Sequence, residues 1–259
     1  MTRQVFFADD LHPHAQEPRA GDRAILTGDE AHHASVKRIE NGELIDLVDG
    51  YGKRLICEVH SVTKKALEVT VRDVIDEEAA MPRLTLVQAL AKGGRDEQAV
   101  ETATEVGVDC ILPWQANRSI VRWTRPKSTK GQAKWCSVAR TAAKQSRRAW
   151  VPSVTHVYDS RALVEWVRLL AERGGVVLLC HEEASDTAVA LLNDKGKEWA
   201  SCPEIAVIVG PEGGIDSDEV ASLCAAGAFP VLLGPHVLRA STAGPVALAL
   251  VSAAIGRWS

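Results

Sequence analysis

The sequence predicts an α/β protein in two parts: a small β-rich domain, then a larger domain built on a parallel sheet. Three observations predict it. Apolar runs at 84–90, 108–112, 176–179, 205–209 and 229–233 alternate with helix-length segments, which is the pattern of a parallel sheet with crossover helices. Before them, the first 76 residues carry short alternating runs split by turn residues. Between the two lies a charged, then small, then proline-bearing stretch, Asp76 to Pro82. The expected borders are a β domain over 1–76, a linker over 77–83 and an α/β domain over 84–259.

In the first domain, Val5-Phe6-Phe7 starts a strand and Arg23 to Leu26 forms another. Residues 28–38 read as a short helix carrying His33, Lys37 and Arg38. Strands over 43–48 and 53–59 flank Asp49-Gly50-Tyr51-Gly52, and Asp-Gly is a strong hairpin signal. A further alternating strand covers 66–74. Short strands linked by turns point to a small barrel. Lys37 and Arg38 fit a solvated surface pair as well as they fit a nucleic-acid contact.

In the second domain, the strand at 84–90 runs into Lys92, Gly93, Gly94 and Arg95, and a helix over 96–106 closes at Gly107. The strand at 108–112 follows. From Arg118 to Arg148 there are ten Lys/Arg and no Asp or Glu, with Trp123, Trp135 and Trp150 interleaved or adjacent. Such an uncompensated cationic run is suited to an anion, and tryptophans can stack on unpaired bases. Trp135 sits in a helical stretch and reads as core. Residues 159–173 form an amphipathic helix, 176–179 a strand, and 187–199 a further helical connection.

The last fifty residues hold the most specific pattern. The apolar runs at 205–209 and 229–233 each empty into a glycine-bearing loop that opens a helix. Loops at the carboxyl ends of parallel strands are where ligands bind. The first loop is Gly210-Pro211-Glu212-Gly213-Gly214. Asp216 follows as an N-cap, with Glu219 three residues on as its capping-box partner, and Gly227 ends that helix. The second loop runs from Gly234 to Thr242, contains Arg239, and enters a small-residue helix over 243–255. Two such loops one βα unit apart predict one ligand site. No GxGxxG and no GxxxxGK[ST] occurs, and Glu212 would repel a phosphate, so a dinucleotide or P-loop site is disfavoured.

Composition narrows the class. Hydrophobic content is 46% and charged content 25%, both ordinary for a globular chain. No apolar stretch reaches membrane length, and the N-terminus lacks a signal-peptide core. The six cysteines are scattered without CxxC, so neither a disulfide framework nor a metal site is expected, and a reducing cytoplasm is. The net charge of −4 hides an asymmetry. Residues 81–150 carry +8, while the segments on either side carry −6 each.

The pattern resembles the SPOUT RNA methyltransferases, and within them the RsmE family, which methylates N3 of a uridine in 16S ribosomal RNA. The glycine loop with its acidic helix matches over 210–219. A second motif matches at Leu233-Gly234, Leu238-Arg239 and Thr242-Ala243. Lys92, Arg95, Ala103-Thr104-Glu105 and Gly107-Val108 match a third. Gln145-Ser146-Arg147-Arg148 with Pro152 matches a fourth, and His33, Val36, Arg38 and Gly42 match the family's N-terminal segment. Two positions depart from it. Ser241 stands where the family commonly has an acid, and serine there still suits a helix cap. Lys144 replaces the usual glutamate.

The resemblance implies a PUA-like RNA-binding barrel ahead of a SPOUT domain with a C-terminal trefoil knot, a homodimer, and S-adenosylmethionine as cofactor. It places the cofactor on Leu179, His181, Gly210, Pro211, Glu212, Gly213, Gly214, Leu233, Gly234, Leu238, Ser241 and Thr242. Arg239 is expected to be catalytic. Lys37, Arg38, Lys92, Arg95, Arg118, Arg122, Arg147 and Arg148 are expected to meet 16S rRNA, within the small ribosomal subunit. Two other functions fit the same residues less well. A SPOUT 2′-O-ribose methyltransferase would usually carry an Asn in the last motif, which Leu238 to Thr242 lacks. A non-catalytic assembly factor has no need of two intact glycine loops.

Overall fold

The computed structural model describes residues 3–9, 11–12 and 17–258. The chain divides into two compact units. The first holds residues 1–79 together with 143–151, and the second holds 80–142 and 152–259. The sequence expectation drew one border near residue 76 and placed 143–151 in the second domain. That short return segment joins the first unit instead.

The first unit contains β1 (Gln4–Phe7), β2 (Leu11–His12), β3 (Arg23–Thr27), α1 (Gly28–Val36), β4 (Leu44–Val48), β5 (Lys53–Val62) and β6 (Ala66–Asp76). They form one six-stranded sheet in the order β1-β4-β5-β6-β3-β2. All its pairings are antiparallel except β1 with β4. Alternation decides the core: Leu55, Cys57 and Val59 of β5 are buried with Leu67, Val69 and Val71 of β6, while Glu58, between two of them, pairs outward with Arg72. Burial pushes the Cys57 thiol up to about 12, so it stays neutral.

The 143–151 segment is fastened to this sheet at both ends. Lys144 Nζ donates to both Glu30 carboxylate oxygens, at 2.9 and 2.7 Å, and lies 5.1 Å from the centre of the Phe6 ring. The same ammonium lies 3.3 Å from His33 Nδ1. Burial first, then the Lys144 charge, hold the His33 pKa below its usual value. Further on, Gly52 N–H donates to the Ala149 carbonyl, and Trp150 Nε1–H donates to the Glu77 carbonyl at 3.0 Å.

The second unit contains β7 (Arg83–Ala89), α2 (Arg95–Glu105), β8 (Cys110–Gln115), most of α3 (Arg125–Gln145), β9 (Ser153–Val154), β10 (Tyr158–Asp159), α4 (Ser160–Glu172), β11 (Val176–Cys180), α5 (Ala188–Trp199), β12 (Glu204–Val209), α6 (Ser217–Ala225), β13 (Ala228–Val231) and α7 (Ala240–Ala254). Its seven-stranded sheet is parallel throughout. The order is β10-β8-β7-β12-β11-β13, with β9 also on β8. Both faces are covered, which is why the strands read as unbroken apolar runs. On one face Leu84, Leu86, Leu178 and Val207 pack with residues of α2, α5 and α7. On the other, Val87, Val177, Leu179 and Ile208 pack with residues of α4 and α6.

Three features differ from expectation. The second strand begins at Cys110 rather than at 108, because the Val108 N–H is used to close α2 on the Ala103 carbonyl. The last helix begins at Ala240, three residues early. Its N-cap is Arg239, so Ser241 lies inside the first turn, buried, and does not cap it. The tryptophans are engaged within the fold. Trp135 is fully buried, Trp123 meets it edge-on at 5.2 Å, and Trp150 is packed against Gly52.

Candidate active site

The strand order reverses between β7 and β12. The chain first builds outward from β7 through β8 and β10, then crosses to the other side, where β11 is laid down before β12 fills the place between it and β7, and β13 adds outside β11. Such a reversal leaves a crevice at the carboxyl ends of the strands. An open cavity of about 1040 Å³ lies there, lined by the loops after β11, β12 and β13 and by the start of α7. The two glycine loops do meet in one cavity. Their strands are not neighbours, however: β11 is inserted between β12 and β13. A third loop, Cys180 to Glu183, therefore enters the wall.

The first loop has a firm base. Gly210 packs so closely on Ile215 that a β-carbon there would overlap Ile215 Cγ1, and Gly214 adopts a φ of +73° that favours glycine. Asp216 caps α6 and forms the capping box with Glu219. Glu219 is only 4% exposed and does more than cap. It accepts hydrogen bonds from Asn117 N at 2.8 Å, Asp216 N at 3.2 Å and the Ser160 hydroxyl. A buried carboxylate with this many donors ties the loop to the end of β8 and the start of α4.

Glu212 also belongs to loop architecture. Its Oε1 accepts from Lys92 N and from Arg95 Nη1, both at 3.1 Å. On the other side, Arg118 lies 3.5 Å from both the Gly213 carbonyl and the Asp216 carboxylate. Arg122 donates to the Asn117 carbonyl at 2.7 Å.

The second loop presents Leu233, Gly234 and Leu238 to the cavity, with Arg239 at its end. The Arg239 carbonyl accepts from Thr242 N and Ala243 N, which starts α7. Its exposed side chain therefore sits at the positive end of a fifteen-residue helix. A cation there is unfavourable for the helix and favourable for any anion brought beside it.

In the third loop, the His181 N–H donates to the Val231 carbonyl, and His181 Nδ1 accepts from Glu183 N at 3.2 Å. The ring is thus used to shape its own loop. Cys180 also faces the cavity, and burial pushes its thiol up to about 12, so it carries no thiolate near neutral pH.

Of the expected cofactor residues, His181, Gly210, Pro211, Glu212, Gly213, Gly214, Leu233, Gly234 and Leu238 line the cavity. Leu179 does not. It lies one residue before Cys180, so strand alternation turns it into the α4–α6 core. Ser241 and Thr242 are also off the wall, within the first turn of α7. Sequence reasoning missed Cys180, Ile215, Val231, His236 and Ala243, most of which are small or apolar and read as ordinary core. Of the expected RNA contacts, Arg95 and Arg118 line the cavity, and Lys92 is exposed in the same loop as Arg95. Lys37, Arg38 and Arg147 are exposed on the first unit, where Arg148 also lies. Arg38 and Arg147 both hold left-handed backbone, with φ of +58° and +61°. The basic run is less uncompensated than its sequence suggests: Lys134 pairs with Glu97, Lys144 with Glu30, and Arg118 with Asp216.

Residues 77–252 match the family model of the RNA methyltransferase domain, and residues 26–72 match that of the RNA methyltransferase PUA domain. A guanidinium-rimmed, glycine-looped cavity in one unit, with a separate β unit, is the two-part build of an RNA methyltransferase. The chain is 40% identical to the Mycobacterium bovis ribosomal RNA small subunit methyltransferase E, over all of this chain and 94% of the relative. The Bacillus subtilis protein of that name is 28% identical over 88% of each chain. The chain belongs to the ribosomal RNA small subunit methyltransferase E family. Among solved structures, the Legionella pneumophila methyltransferase Lpg2936, in complex with SAM, superposes with a TM-score of 0.77 at 27% identity over 98% of both chains. A Neisseria gonorrhoeae family member has the same fold, with a TM-score of 0.80 at 24% identity over 97% of this chain and 98% of its own.

Proposed function

We propose that this chain transfers a methyl group from S-adenosylmethionine to N3 of a uridine in small-subunit (16S) ribosomal RNA. The observation that carries this reading is the cavity: glycine loops and arginines converge on it, in a chain whose relatives bear that enzyme name. The cavity suits the cofactor. Its volume is about that of a small-molecule site, Leu233, Leu238 and Ala243 give an apolar wall for adenine, and the tight base at Gly210 keeps the loop backbone open to the methionine moiety. The cofactor supplies an electrophilic methyl group on a sulfonium.

The chain's own residues handle the nucleophile. Uridine N3–H ionises roughly two pH units above neutrality, so forming its anion at pH 7 costs about 2.7 kcal/mol. Arg239 and the positive end of α7 stabilise the charge developing on the uracil oxygens. N3 gives its proton to water and takes the methyl group, whose bond to the sulfonium sulfur would break to leave a neutral thioether. Cys180, on the same cavity wall, stays protonated and so would not compete for the methyl group.

In this reading the first unit is a PUA-like RNA-binding barrel, and the second is a SPOUT domain whose C-terminal segment is knotted. Two copies form a homodimer, and Val237, 81% exposed in the second cavity loop, is a side chain the other copy would cover. The setting is the cytoplasm. The six cysteines are all free, and among the described residues no helix is long and apolar enough to cross a membrane.

The test is label transfer from methyl-labelled S-adenosylmethionine to unmodified small ribosomal subunits, with nucleoside analysis. Labelled 3-methyluridine is expected; label in a 2′-O-methyl nucleoside would overturn the chemistry. RNA binding is checked separately by replacing Arg147 and Arg148 with glutamate. The salt dependence of binding should become shallower, by roughly 0.7–0.9 in log–log slope for each phosphate left unneutralised. An unchanged slope would remove both residues from the interface.

A further inference from the structure

Glu212 is an odd residue for a loop that faces both a cofactor and a polyanion. A bare carboxylate would repel RNA, yet this one lies on the cavity wall with its side chain only 18% exposed. The structure shows where its charge goes. β7 and β12 are adjacent parallel strands, with Gln88 opposite Val209, so their following loops leave the sheet side by side at the point where strand order reverses. Glu212 bridges them, through the Lys92 N–H and the Arg95 guanidinium. Arg95 is the first residue of α2, lines the same cavity, and follows an N-cap glycine with no side-chain cap. Apart from Glu212, Arg95 has no other carboxylate within ion-pair distance among the described residues.

Resting on the function proposed above, we infer that Glu212 is a positioning residue: it holds the Arg95 guanidinium on the cavity rim, where Arg95 takes an anionic oxygen of the RNA. Arg95 has five N–H donors, so one bond to Glu212 leaves others for the substrate. The carboxylate restrains the guanidinium before RNA arrives, which reduces the ordering cost on binding. It also joins the cofactor loop to the RNA-gripping loop through one ion pair.

The experiment is a double-mutant cycle of Glu212→Gln and Arg95→Ala, read as steady-state methylation of small subunits, with wild-type turnover as the control. If wild type shows no transfer, the proposed function fails and not this inference. With transfer established, Glu212→Gln should lower kcat/KM for RNA about tenfold, the loss expected for one charge-assisted hydrogen bond. The KM for S-adenosylmethionine and the melting temperature should stay near wild type. In the Arg95→Ala background the same change should cost nothing more. Additive losses would overturn the inference, as would a loss confined to the cofactor KM, which would make Glu212 a plain loop brace. The single Arg95→Ala variant identifies the oxygen: a shallower salt dependence of RNA binding marks a phosphate, and a fall in kcat at unchanged salt dependence marks the base.

Discussion

Replacing Arg239 by alanine is expected to lower kcat by about 10²- to 10³-fold, the usual cost of removing a donor aimed at developing negative charge. RNA affinity should change far less, because in the proposed mechanism the side chain acts on charge that appears only as N3 ionises. The structure adds a second signature. Arg239 is the N-cap of α7 but makes no side-chain capping bond, and its charge sits at the positive end of the helix. Its removal should therefore leave the melting temperature unchanged or slightly raised. Turnover measured against RNA binding and thermal stability separates these effects. Equal losses in kcat and RNA affinity would sink the transition-state role, and a drop in stability would mean that Arg239 is structural. Raising pH should partly rescue the variant, since the uridine anion then forms without help.

The second large effect is on stability. Arg257 lies just beyond α7 and is 13% exposed. It grips Asp109 with two bonds of 2.8 Å, and also donates to the Pro82 and Gly107 carbonyls at 3.1 Å. Asp109 in turn accepts from Leu84 N at the start of β7. One guanidinium thus clasps the C-terminal end to the beginnings of β7 and β8. Arg257→Ala strands a half-buried carboxylate and two carbonyls, and should cost about 2–4 kcal/mol after allowance for partial exposure. The second unit's thermal transition should fall by roughly 5–15 °C. Scanning calorimetry checks this, and a shift of under about one degree would show that the clasp contributes nothing net. Because α7 begins at the cavity wall, cofactor affinity should weaken in the same variant, without the kcat loss expected for Arg239.

What the sequence by itself determined was local. The β–α alternation was legible because strands covered on both faces must be continuously apolar, and a run such as Ile205 to Val209 is short, rich in β-branched residues and closed by glycine. The capping box of Asp216 and Glu219 was legible for the same reason: its partners lie three residues apart. The two glycine loops and Arg239 could be picked out because their backbone needs and charge are written within single segments. Tertiary structure alone decided what depends on partners distant in sequence. It put β11 between β12 and β13, which brought the Cys180–Glu183 loop into the cavity wall. It turned Leu179 into the core, since a strand's period of two separates faces but does not say which face meets the ligand. It buried Trp135, set Trp123 edge-on against it, and gave Lys144 its carboxylate 114 residues away, on Glu30. It also made Glu219 and Glu212 into ties between loops. A carboxylate's sequence neighbours reveal its cap, but its donors across the fold are set only when the strands are ordered.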